Sequence, residues 1–538
     1  MNLNLSTKEF FKQLNINLFE IKQGLFVMND ESFAQSGIDI EKSKYEGFLL
    51  YNFETKDIPQ YFANPQQPKR AEIAKLTRDY NRKSFGNPVL IFLKYDGKFS
   101  LALSERVEYK QTWRAGEKVG KVIILRDVNI ENPHAGHLRI LNDLKNIEPT
   151  KTDTIFGTKT NFTELHAKWL KVFNIKTLNE DFYRRLVKWY ELCFNDIKID
   201  LNAASKILNK KIDDELKPQA VIRVIIRLMF IWFMKEKNLI ENRFFTREFA
   251  ADFLKNKDTY YNAVLQNMFF GVLNSKISDR DFRKNDAKNK YDTEKNDYGM
   301  FQFFRYENFF KQGKAVEFLQ LTAKIPFVNG GLFTCHDEKF TKNKEKNYII
   351  DGFSDDPKNR ATISDNVIFQ LIDLFNDYVF TIEEATPMEQ DIALDPELLG
   401  TIFENLIGFY NPETKENARK QTGSFYTPRE IVDYMCAESL KECLKTRFPD
   451  LHAQIDDLID RNEDFLNFPQ KNNIIAAITD LKIIDPACGS GAFPMGMFNL
   501  MVRTVEKLRE HKETYKNKLQ IIQNCIYGVD IQNIAVEI

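Results

Sequence analysis

The chain has 538 residues, 43% of them hydrophobic and 28% charged, and its 76 Lys+Arg against 77 Asp+Glu leave a formal charge of −1. That length predicts three or four domains at roughly 100–200 residues each, and the composition excludes a disordered chain and an overall polycation. Near-neutrality does not exclude nucleic acid, because a local basic stripe can contact phosphates while acidic surface elsewhere balances the sum.

The N-terminal run MNLNLSTKEFFKQLNINLFEI lacks the apolar core of a signal peptide and reads as a short amphipathic helix. Residues 1–150 read as a mixed α/β domain. Pro88 to Tyr95 and Lys98 to Tyr109 are two β-type runs flanking Asp96-Gly97, a two-residue turn that favours a hairpin, and Val122 to Leu125 is a third apolar run. Just before them, Lys69, Arg70, Lys75, Arg78, Arg82 and Lys83 stand against Glu72 and Asp79 alone. With Lys94, Lys98, Arg106 and Lys110 they form either a basic, phosphate-contacting face or the solvated side of an amphipathic helix.

Residues 155–385 change to a helical period and read as a helical connector domain. Phe182, Leu186, Trp189, Tyr190 and Cys193 share one face, and Val221, Val224, Ile225, Leu228, Met229, Trp232 and Phe233 belong to a helix buried on most sides. The most apolar run, Ala220 to Met234, is too short to span a membrane and carries Arg223 and Arg227, so no membrane partner is expected. Lys276 to Tyr298 is almost wholly polar and reads as a solvated insertion. The six cysteines lie far apart without a CxxC pair, and His134 and His137 have no second ligand pair nearby, which argues against disulfides and a zinc site and fits a reducing cytoplasm.

Residues 386–538 alternate helix and strand. Asp395-Pro396 opens the expected helix PELLGTIFENLIGFY, and a polar linker runs up to Thr422. LKIIDPACGSGAFPMG, residues 481–496, is a strand, a glycine turn and a helix, the arrangement in which a ligand approaches the backbone and free helix N–H groups. It lacks the GxxxxGK[ST] lysine of a nucleotide triphosphatase. A helix over about 511–524 leads to a second short strand, Cys525 to Val529, ending in Asp530, where an acid can accept hydrogen bonds from a ribose.

DPACGSG resembles the S-adenosylmethionine motif of amino-methylating DNA methyltransferases, CIYGVDI resembles their following acidic motif, and Gly423-Ser424-Phe425-Tyr426-Thr427-Pro428 resembles the GxFYTP element that precedes the glycine loop in the γ class. LDPELLG (394–400), PFVNGGLF (326–333) and RLMFIWFMKEK (227–237) are similar to segments of type IIG restriction-modification enzymes, so the resemblance covers about residues 160–538. It implies a Rossmann-like seven-strand methyltransferase sheet and methyl transfer to adenine N6 in a specific site of double-stranded DNA, with the base flipped out. It also implies that Asp485 contacts the amino-acid end of the cofactor. Pro486, Ala487, Cys488, Gly489, Ser490 and Gly491 would line the loop, Asp530 would hold the ribose, and Phe425, Tyr426, Thr427 and Pro428 would pack near the methionine.

The family's catalytic Asn/Asp-Pro-Pro-aromatic element has no counterpart, because the chain contains no Pro-Pro dipeptide and stops eight residues after Asp530. The expectation is therefore a fragment or split subunit, inactive alone, whose third domain is completed by a separate C-terminal polypeptide. A type IIG enzyme would also carry a Mg2+-dependent nuclease near its N-terminus, with an Asp and a Glu-x-Lys on adjacent strands. Asp96, Glu108 and Lys110 match in order. If Asp96-Gly97 is the turn, however, Glu108 lies about eleven residues up the returning strand, roughly 36 Å away and too far to share a metal. The alternatives are a protein-glutamine or RNA methyltransferase, which shares the cofactor loop, and a non-catalytic DNA-binding or assembly subunit.

Overall fold

Strand β4 (Val89–Tyr95) shows how the first sheet is built. Val89, Ile91 and Leu93 belong to one apolar cluster, with Ile73, Leu76 and Ile124, while Leu90 and Phe92 belong to another, with Phe10, Phe99 and Trp169. Side chains alternate along a strand, so a continuous apolar run marks a sheet covered on both faces. The computed structural model describes residues 2–28, 48–84, 87–108, 117–148, 151–154, 157–160, 162–199, 213–282, 304–328, 331–335, 337–340, 346–348, 351–355, 357, 360–381, 389–394, 400, 402, 427, 429–461, 463–489, 491–511 and 513–530.

Contacts divide the chain into two units, Met1–Asp196 with Ile231–Ala251 and Ser364–Leu398, and Ile197–Phe230 with Asp252–Ile363 and Leu399–Ile538. The first unit holds a seven-stranded mixed sheet whose spatial order follows chain order: β1 (Phe19–Lys22), β2 (Leu25–Met28), β3 (Phe48–Glu54), β4, β5 (Lys98–Glu108), β6 (Glu117–Asn129) and a last strand, Glu389–Asp391. Strand β3 runs parallel to β4, and β6 runs parallel to the last strand, while the other pairs are antiparallel. Helix α1 (Thr7–Gln13), closed by a Ser6–Glu9 capping box, packs on one face, and α2 (Arg70–Lys83), which links β3 to β4, packs on the other. The Asp96-Gly97 hairpin forms as expected, with positive φ at both residues (42° and 68°), as a type I′ turn requires. The strand at 389–391 enters this sheet although the sequence places it at the start of the last block.

Helices α3 (Ala135–Lys145), α4 (Phe162–Val172) and α5 (Ile175–Asp196) follow, and α5 buries the expected Phe182, Leu186, Trp189, Tyr190 and Cys193. Helix α6 (Asp213–Glu236) buries its apolar residues on most sides, with Arg227 at 1% exposure among them. In the second unit the twelve residues Tyr261–Val272 form a fully buried π-helix. Its Asn262, Gln266 and Asn267 bond to the carbonyls of Ala361, Asp351 and Arg305, respectively. The sequence from 429 onward folds around one core from α7 (Arg429–Arg447), α8 (Phe468–Thr479), α9 (Ala492–Arg509) and α10 (Tyr515–Cys525). There β7 (Ile483–Asp485) and β8 (Ile526–Gly528) form a two-stranded parallel sheet. Among the described residues no helix is long and apolar enough to cross a membrane. Most of the expected helix after Asp395 and most of the 276–298 insertion lie outside the described residues.

Candidate cofactor site

The register Ile483↔Ile526 and Asp485↔Gly528 ends β7 and β8 side by side, so the loops that follow them meet. Pairing continues past the strands: Val529 N–H donates to the Asp485 carbonyl at 2.8 Å, and Cys488 N–H donates to the Val529 carbonyl at 2.9 Å. The Asp485 carboxylate accepts the Ala487 N–H through Oδ1 at 3.1 Å, a local bond by which aspartate shapes a turn. The Asp530 carboxylate accepts the Gly489 N–H at 2.9 Å and clamps the glycine loop from the second strand.

Gly489 and Gly491 have φ of 52° and 86°, a region that costs a side-chain-bearing residue about 1–2 kcal/mol. Gly491 is the N-cap residue of α9, and a Cβ built there would meet nothing within 4 Å among the described residues. At Gly528 a Cβ would come within 2.9 Å of the Cys488 sulfur, so glycine is what lets the loop lie on β8. Gly496 serves the same purpose one turn into α9, where a Cβ would meet Val432 at 2.7 Å and Cys436 at 3.4 Å on α7. This contact sets α7 beside the first turns of α9, and Thr427, two residues before α7, is half-buried.

The strand, turn, helix and second strand therefore stand where the sequence puts them, and Asp485, Cys488, Gly489, Gly491 and Asp530 come together. Pro486 and Ala487 are exposed on the loop. Phe425, Tyr426, Pro428 and Ser490 lie outside the described residues. Burial, reinforced by the carboxylates of Asp530 and Asp485, pushes the Cys488 thiol up, which disfavours a thiolate nucleophile. Asp485 Oδ2 is buried with no hydrogen-bond partner among the described residues. A buried acceptor without a partner among the described residues, on a loop closed by a second carboxylate, fits a ligand with a cationic amine and neighbouring hydroxyls, and so fits the amino-acid and ribose ends of S-adenosylmethionine.

The residues singled out in the first unit do not make a nuclease centre of the expected kind. Asp96 sits in the hairpin turn, while Glu108 closes the far end of β5 opposite Glu117, about 33 Å away at 3.3 Å per residue. Lys110 lies outside the described residues. Among the described residues no group of three or more His, Cys, Asp or Glu side chains could hold a metal ion. Arg70 is corrected as a phosphate contact, because it is 9% exposed and turned to the buried Asp391 at 4.0 Å, which Arg126 meets at 3.1 Å. Lys69, Lys75, Arg82 and Lys83 are exposed and Arg78 half-exposed.

No family model matches the chain, and no solved structure matches it. Over 343 residues, 60% of this chain, it is 28% identical to a protein of Methanocaldococcus jannaschii named "Putative type II restriction enzyme and methyltransferase". The chain covers 24% of that relative's length.

Proposed function

We propose that this chain is the cofactor-binding portion of a γ-class restriction-modification methyltransferase of the type IIG kind. It would act on the exocyclic N6 of adenine in duplex DNA, with β7 and β8 as two strands of a Rossmann-like seven-strand sheet. The observation that carries the reading is the Asp485–Gly491 loop, closed by Asp530 from the adjacent parallel strand, with one buried Asp485 oxygen left unsatisfied. Similarity to the M. jannaschii protein supports the restriction-modification setting.

In this reading S-adenosylmethionine supplies an activated methyl group on its sulfonium. Asp485 Oδ2 receives the ammonium of the amino-acid end, and an ammonium there satisfies an acceptor otherwise buried at a cost of about 1–3 kcal/mol. Asp530 keeps the Gly489 N–H and accepts from the ribose hydroxyls, since a carboxylate has about four acceptor sites. Thr427 would serve the methionine end of the cofactor. The adenine pocket needs a Pro-Pro-aromatic element that these 538 residues do not contain. The first unit would contact DNA.

Isothermal titration of S-adenosylmethionine tests the reading. The wild-type chain is expected to bind, and Asp485→Ala to lose at least about tenfold in affinity, the lower end of a charged hydrogen bond's contribution. Equal affinity in the two proteins refutes the assignment.

A further inference from the structure

Helix α2 orders its charges in a way that works against the helix itself. At about 3.6 residues per turn, Lys75, Arg78 and Arg82 fall within about 60° of one another, along the side that Ile73, Ala74, Leu76, Thr77 and Asn81 leave to solvent. Their spacings of three and four positions make two like-charged neighbour pairs, Lys75 with Arg78 and Arg78 with Arg82, and such pairs destabilise a helix. Arg82 stands in the last turn, where a cation offsets the helix dipole. Lys75 and Arg78 stand in mid-helix, so the dipole does not account for them.

The acids of α2 are committed to other tasks. Glu72 accepts the N–H of Ala63 at 3.0 Å and of Lys69 at 2.8 Å, one through each carboxylate oxygen. Asp79 accepts the Tyr61 hydroxyl at 3.3 Å through one oxygen and meets Arg82 at 3.3 Å through the other, while the Arg82 side chain keeps 68% exposure. Both acids lie about 40–60° round the helix from Lys75, beside the cationic row and not within it. A row of cations kept at a cost to its own helix, with the nearby acids engaged, suits an external anion. Its length, about 10 Å from Lys75 to Arg82 at about 1.5 Å per residue, exceeds one phosphate group. It matches about three successive phosphates of a strand, which recur every 3.4 Å or so along a duplex axis.

We propose that the row Lys75, Arg78 and Arg82 on α2 is a contact surface for the phosphate backbone of duplex DNA. The inference rests on DNA as the partner in the reading above and adds which surface of the first unit meets its backbone.

The test is fluorescence anisotropy of the full chain with a labelled duplex of about 30 base pairs, across about 50–300 mM KCl. The triple substitution Lys75→Met, Arg78→Met and Arg82→Met removes three charges and keeps unbranched stems. Lys12→Met, Lys145→Met and Lys171→Met together remove the same charge from exposed positions on α1, α3 and α4, whose apolar sides join the cluster on the other face of the sheet. The row variant is expected to reduce the slope of log affinity against log salt by about 2–3, and affinity at 100 mM salt by at least about tenfold. The control should stay within about threefold, and the charge-keeping variant Lys75→Arg, Arg78→Lys and Arg82→Lys should retain the slope. The melting temperature of the row variant should hold or rise, because two like-charged pairs are relieved. Unchanged slope in the row variant, an equal loss in the control, a melting temperature that falls together with affinity, displacement of the duplex by an equal charge of poly-glutamate, or no DNA binding by wild type each overturns the proposal. S-adenosylmethionine titrated into the same preparations separates the two readings. Cofactor binding with no effect of the row on DNA sinks only the row, and DNA binding through the row without cofactor binding sinks only the cofactor site.

Discussion

Replacing Asp351 by alanine should strand a charge inside the second unit and cost about 3–5 kcal/mol. Arg227 and Asp351 side chains are 2% and 4% exposed, so water does not screen them. Arg227 Nη1 donates to Asp351 Oδ1 at 2.7 Å, its Nε donates to the Leu332 carbonyl at 2.7 Å, and its Nη2 donates to the Thr334 carbonyl at 3.2 Å. At that charge separation and an effective dielectric near 20, the direct attraction is roughly 6 kcal/mol, of which the two carbonyl bonds would retain part. Asp351 is itself held in place, because Asp337 accepts the N–H groups of residues 351, 352 and 353 at 2.8, 3.0 and 2.8 Å. Arg227→Met should cost a similar amount by orphaning Asp351. The double variant, Arg227→Met with Asp351→Leu, should cost only about 2 kcal/mol, for two carbonyls without donors, giving a coupling energy of several kcal/mol. Chemical denaturation of the four proteins measures the cycle, and hydrogen exchange along 261–272 localises the loss. Singles costing under about 1 kcal/mol, or effects additive within about 0.5 kcal/mol, would refute the buried-pair argument.

Three further outcomes follow from the same physics. Asp530→Ala should release the Gly489 N–H and weaken S-adenosylmethionine binding by about tenfold or more at little cost in melting temperature, and an unchanged dissociation constant would remove Asp530 from the site. Gly491→Ala should cost about 1–2 kcal/mol for its φ of 86°, with no clash among the described residues, yet lower cofactor affinity further if the ligand lies over this end of the loop; calorimetry beside thermal melting separates the two. Burial holds His137 down to about 3 and His166 down to about 4, below the usual 6.5. Their neutral rings therefore contribute full stability above about pH 6.5, lost as pH falls toward those values, about 2 kcal/mol each by pH 5. His166→Gln should shrink the difference in unfolding free energy between pH 7 and 5 by about that amount, and an unchanged difference would count against a buried neutral ring.

What was legible in the sequence is what local chemistry decides. The Asp96-Gly97 turn needs two residues of positive φ and nothing distant, and the 481–496 run needs glycines where the backbone turns left-handed. The role of Asp530 was only half legible: its place at a strand end is local, but the N–H it holds belongs to Gly489, reached only after folding. The strand at 389–391 was not legible at all, since Glu-Gln-Asp has no strand pattern and pairs because the Val122–Ile124 stretch of β6 offers an edge. Arg227 explains why two segments read as separate resemblances, 227–237 and 326–333, are one structural feature, because its guanidinium bonds the backbone at Leu332.

Arg70 shows where the reading went astray. Counting basic residues along α2 treats all as equivalent, yet Arg70 shares a side with Ile73, Ala74, Thr77 and Asn81, all buried. The three- and four-residue spacing already set it apart from Lys75, Arg78 and Arg82. What spacing could not supply was a reason for a cation to be buried there, and that reason is Asp391, 321 positions away on the last strand of the sheet. A buried arginine without a carboxylate is too costly to keep, so the identity of its partner, not its own position, decides whether a basic residue on a helix is surface or core. By that criterion Arg70, whose carboxylate partner is on the last strand of the sheet, belongs to the fold.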